Sequence, residues 1–67
     1  MLFPEQDLTE AQQQITSTLH KLQEVVKTLE AKEPPSRYKS QITLAKRRIK
    51  AFEIANHLIE RELQNTP

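Results

Sequence analysis

His57 stands four residues after Glu53 and three before Glu60. On a helix those spacings bring an imidazole and two carboxylates to one face, which is half of a metal site. A further ligand would have to come from a neighbouring element. The remaining histidine, His20, falls on the outward side of its own helix, and there is no cysteine. A histidine beside glutamates without that second half reads as a surface ion pair, so no metal or other cofactor is expected. For covalent or acid–base catalysis there is no nucleophile, base and orienting group in one place, and too little chain to wall a pocket. The expectation is a protein that is not an enzyme and takes no small-molecule substrate.

The other chemistry-bearing stretch is basic. Arg37, Lys39, Lys46, Arg47, Arg48 and Lys50 lie between Glu33 and Glu53 with no acid among them. Such a run suits a phosphate backbone or an anionic lipid surface. At 100° per residue, however, Lys39, Lys46 and Lys50 share one side of a helix while Arg48 points to the opposite flank. No aromatic residue is interleaved to stack a base, and no third helix completes a helix-turn-helix. Nucleic acid is therefore disfavoured, with Lys39, Lys46, Arg47 and Lys50 kept as the candidate basic patch. Membrane binding is disfavoured too, because no tryptophan anchors an apolar face.

The elements that must carry these residues are helices. The chain has 67 residues and no glycine, so hairpin turns and phosphate-cradling loops lack their usual material. Gln, Glu, Lys, Leu and Ala predominate, as in helices. A single domain of this size buries a modest core and has no disulfide to supplement it. The start, MLFPEQD, has no basic stretch and no apolar run, and nothing approaches the ~18 apolar residues of a membrane span. A cytoplasmic location is expected. Net charge is +1, yet unevenly spread: residues 1–33 hold three Lys and six acids, residues 34–67 seven Lys/Arg and three acids. The halves attract one another, which suits an antiparallel pair.

Pro34-Pro35 divides the chain, because proline breaks a helix interior and biases its predecessor away from helical angles. The fold class predicted is all-α, an antiparallel two-helix hairpin of coiled-coil type. Its helices are expected at about 8–33 and 36–63, within one domain over 1–67, with 1–6 and 64–67 frayed. Asp7 with Glu10, or Thr9 with Gln12, would cap the first helix, and Ser36 the second. Leu8, Ile15, Leu22 and Leu29 recur every seven residues, interleaved with Gln12, Leu19 and Val26. In the second helix Tyr38, Ala45, Phe52 and Ile59 interleave with Ile42, Ile49, Asn56 and Leu63. This alternation of three and four is the seam of a left-handed helix pair. Folded about the prolines, the series face each other without a gap: Leu29 and Ile42, Val26 and Ala45, Leu22 and Ile49, Leu19 and Phe52. Ile15 then meets Asn56, Gln12 meets Ile59 and Leu8 meets Leu63. The two amides either specify register or sit in wet layers near the open end.

The second helix has more apolar residues than one seam can use. Leu44, Ala51, Ile54, Ala55 and Leu58 widen its apolar arc past half the circumference, as on a helix covered from two sides. One neighbour covers one side. These five residues are the predicted docking surface for a helix, from another protein or from a second copy.

Arg37-Tyr38 opening the second helix, the run Lys50-Ala51-Phe52-Glu53-Ile54-Ala55, and Leu58-Ile59 after it resemble the small co-chaperones of type III secretion needle subunits, the YscE/PscE type. The likeness spans roughly residues 15 to 60. It implies a cytoplasmic, non-enzymatic bacterial protein whose partner is a tetratricopeptide-like helical chaperone. Together the two would keep a filament subunit soluble before export, with Leu44, Ala51 and Leu58 in the docking surface. The alternative is a homodimeric four-helix bundle, a phage or plasmid type of regulator that holds nucleic acid through residues 37–50.

Overall fold

The computed structural model describes residues 3–65, and the outermost two residues at each end lie outside this description. Helix α1 runs Glu5–Ala31 and helix α2 runs Lys39–Gln64, joined through a 3-10 turn at Pro35–Tyr38. The two helices pack side by side into a rod of 52 × 15 × 14 Å. The all-α hairpin expected from the heptads is the fold.

The helix ends depart from expectation. Helix α1 starts at Glu5, directly after Pro4, whose backbone is extended (φ −66°, ψ 155°) and carries no side-chain cap bond. The Leu8 N–H donates to the Pro4 carbonyl at 3.2 Å. Neither expected capping box operates, because Asp7 and Thr9 are already inside the helix. Pro4 disfavours helical angles at the residue before it, so the helix begins directly after the proline. Glu5 and Asp7 then act as first-turn charges that complement the helix dipole. Residues 5, 6 and 64, placed among the frayed ends, are helical. The expectation of fraying at residues 1, 2, 66 and 67 lies outside the described residues.

At the hinge, α1 stops at Ala31, and Lys32 is extended with its N–H donated to the Leu29 carbonyl at 3.3 Å. The Glu33–Pro34 peptide bond is cis. Ser36 is not the cap of α2. It lies inside the 3-10 turn, where the Arg37 N–H bonds the Pro34 carbonyl at 3.1 Å and the Lys39 N–H bonds the Ser36 carbonyl. Proline is well placed to open such a turn. The turn consumes residues 35–38 and moves the start of α2 to Lys39. The Lys32 ammonium sits 5.3 Å from the centre of the Tyr38 ring, a cation–π contact across the hinge.

Every predicted seam position of both helices is buried or half-buried. Among the residues with described burial, only Ala11 and Ala55 join them. The register is held by polar ties across the seam. Asn56 Nδ2 donates to Thr16 Oγ1 at 3.0 Å, and Gln12 Nε2 donates to Glu60 Oε2 at 2.8 Å. Thr16 and Glu60 are the chain neighbours of Ile15 and Ile59, the expected facing residues, so the pairing holds to within one residue. Lys46 and Glu30 close an exposed ion pair of 3.3 Å near the hinge.

Burial is shallow. Leu8, Val26 and Ala45 are the buried core, and none of the described side chains is fully enclosed. Two helices can shield a seam only from each other and leave both of its flanks open. The hydrophobic driving force, proportional to apolar area removed from water, is only partly realised.

Candidate protein-docking face on the second helix

Three of the five predicted docking residues are large apolar side chains that remain half exposed: Leu44 at 51%, Ile54 at 52% and Leu58 at 55%. Ala51 is exposed as well. At about 100° per residue, Leu44, Ala51 and Leu58 fall within an arc of roughly 40°, and Ile54 lies about 60° to one side of Ala51. The arc is turned well away from the seam with α1. At 1.5 Å per residue, the stripe from Leu44 to Leu58 is about 21 Å long. Ala51 at its centre permits close approach of another backbone. Fully burying a Leu or Ile side chain contributes about 1.5–3 kcal/mol, so covering the exposed halves of three would add roughly 3 kcal/mol.

Ala55 stands apart from the other four. It is half-buried, because its position round the helix lies between the stripe and the seam. Ala11 is its counterpart on α1, and neither belonged to the heptad series. At about 100° per residue Ala11 shares the angle of Leu29 and falls within the seam arc, so its burial was legible in the sequence, whereas Ala55 lies between stripe and seam and was not separable. On α1 the one large exposed apolar residue is Val25, at 45%, while Phe3 at 60% precedes the helix.

The basic residues do not converge into one patch. Lys39, Lys46, Arg47 and Lys50 are all exposed. Lys46 is turned toward α1 and paired with Glu30, whereas Arg47 emerges on the apolar stripe itself. Lys39, Ser40, Thr43, Leu44 and Arg47 line a shallow groove at the hinge end of that stripe. Glu60, one of the carboxylates near His57, accepts hydrogen bonds from Gln12 at 2.8 Å and Gln64 at 3.3 Å. No group of three metal-ligating side chains comes together among the described residues. Nor is any helix among them long and apolar enough to cross a membrane.

The fold and this face define a helical hairpin whose second helix carries a half-exposed apolar stripe. Compared with protein-family models, curated proteins and solved structures, the chain matches none.

Proposed function

We propose that this chain is a non-catalytic docking module that pairs α2 with a helix of another protein. The observation that carries this reading is the row of half-exposed Leu44, Ile54 and Leu58 on the side of α2 turned from α1. A hairpin whose own seam is shallow gains from a third helix laid along that row. The resemblance at Arg37-Tyr38 and at residues 50–55 supports a co-chaperone role in the bacterial cytoplasm. In that role the partner is a helical-repeat chaperone, and the pair holds a secretion filament subunit in soluble form. The competing regulator needs residues 37–50 to act as one anionic-ligand surface, and the ion pair of Lys46 with Glu30 weighs against it.

Co-expression with a tetratricopeptide-type chaperone from the same genome tests the proposal. Leu58→Asp should lose co-purification while keeping parental helicity by circular dichroism, since an unpaired buried charge costs several kcal/mol only once the face is covered. Retention of the chaperone by Leu58→Asp would overturn it. A low-salt shift of RNA or DNA by the hairpin alone would move the assignment to the basic residues Lys46, Arg47 and Lys50.

A further inference from the structure

The docking reading leaves open what lies on the stripe, and the charges around it decide between occupants. Arg47 emerges between Leu44 and Leu58. At about 100° per residue, Arg48 lies roughly 60° from Ala51 on one flank, with Lys50 and Arg61 roughly 100° and 80° away on the other. None of these four cations enters an ion pair among the described residues. Glu53 points away from the stripe. Glu62 lies beyond Leu58 and already has an interaction of its own within the chain. The apolar row is therefore flanked by four cations that enter no ion pair among the described residues.

A second copy meets that frame badly. Laid antiparallel about Ala51, two α2 helices place Lys50 of one copy across from Lys50 of the other, about 3 Å apart along the axis. Both Arg48 side chains then share the opposite flank. Laid parallel, Arg47 of one copy comes beside Arg48 of the other. Like charges juxtaposed at an interface select against that pairing. The other helix of a second copy offers no better match. The outward face of α1 carries Glu10, Gln14, Ser17, Lys21, Glu24 and Thr28, and its one large exposed apolar side chain is Val25.

We infer that the occupant of the α2 stripe is an acid-flanked amphipathic helix from another protein, seated with its apolar residues on Leu44, Ala51, Ile54 and Leu58 and its carboxylates against Arg47, Arg48, Lys50 and Arg61. This rests on the docking proposal and adds to it the sign of the partner's charge. Exposed ion pairs are individually weak. Four on one rim act chiefly on selectivity and association rate, with a dependence on salt that apolar contact alone lacks.

The test uses the full chain and two synthetic amphipathic helices with the same leucine face, one flanked by glutamates and the other by lysines. Binding is followed by fluorescence anisotropy. The glutamate-flanked peptide is expected to bind roughly tenfold more tightly at low salt, and the difference to collapse once the Debye length falls to about 3 Å near 1 M. The triple variant Arg47→Glu, Arg48→Glu, Lys50→Glu should reverse the order of the two peptides while keeping its helicity. The salt titration on the parent decides the matter if that variant fails to fold. Equal binding of the two peptides overturns the acidic partner and leaves the docking face standing. Tighter binding of the lysine-flanked peptide overturns the charge assignment outright. If neither peptide binds and light scattering shows a dimer that Leu58→Gln dissolves, the occupant is a second copy. If neither binds and the chain stays monomeric, both the inference and the docking face fall.

Discussion

Replacing Asn56 by leucine should make the hairpin more stable. Asn56 Nδ2 donates to Thr16 Oγ1 at 3.0 Å, but its buried Oδ1 has no hydrogen-bond partner. Losing the bond to Thr16 costs about 0.5–1.5 kcal/mol, and removing an unsatisfied buried carbonyl returns about 1–3 kcal/mol. Leucine at a half-buried seam position facing Ile15 adds about 1 kcal/mol of apolar burial. The better helix propensity of leucine adds a few tenths more. The sum favours Asn56→Leu by about 2 kcal/mol. For a chain this short, that is a rise of roughly 10 °C in Tm, read by circular dichroism at 222 nm and cross-checked by urea titration. A polar residue at such a position also specifies register, so the stabilised variant should show more self-association by light scattering. If Asn56→Leu melts below the parent, position 56 does not face Ile15 across an apolar seam, and the register described above is wrong.

Three further outcomes follow from the same geometry. Glu30→Gln should leave Tm within a few degrees, because both partners of the Lys46 pair are more than half exposed (58% and 51%) and such pairs contribute about 0–1 kcal/mol; a loss above ~2 kcal/mol would mean the pair is desolvated. Phe52→Asp should abolish the cooperative melt, since it places a charge in a seam whose total stability is only a few kcal/mol at this length; a folded variant would show that Phe52 is not between the helices. Tyr38→Leu should lower Tm by only a few degrees, through loss of the Lys32 cation–π contact worth about 0.5–1 kcal/mol, with the hairpin intact by circular dichroism.

The seam was legible because a period of 3.5 residues, carried through both helices, admits one facing arrangement about a proline break. Leu8 through Leu29 and Tyr38 through Leu63 all lose solvent exposure as that pattern requires. The helix ends were less legible. Asp7, Thr9 and Ser36 have the right side chains for caps, but Pro4 and Pro35 fix the backbone first, and local hydrogen bonding at prolines overrides a side-chain preference worth about 1 kcal/mol. On the docking face, Leu44, Ile54 and Leu58 could be placed by angle alone. Ala55 could not, because its angle lies between two faces and a methyl group fits either. The polar ties of Gln12 to Glu60 and Asn56 to Thr16 join residues far apart in sequence through flexible side chains. Heptad positions set which backbones meet, and leave the choice of hydrogen-bond partner to side-chain geometry.

The most direct test of the docking face is the footprint of a bound helix on the hairpin. Backbone amide chemical shifts of the isotope-labelled chain are followed by NMR while the glutamate-flanked peptide is added. The perturbed amides should run from Leu44 through Arg47, Ala51 and Ile54 to Leu58 and Arg61, with the outward residues of α1, such as Glu10, Ser17 and Glu24, unchanged. Perturbations centred on α1 or on the Pro34-Pro35 hinge, with the α2 stripe silent, would contradict it.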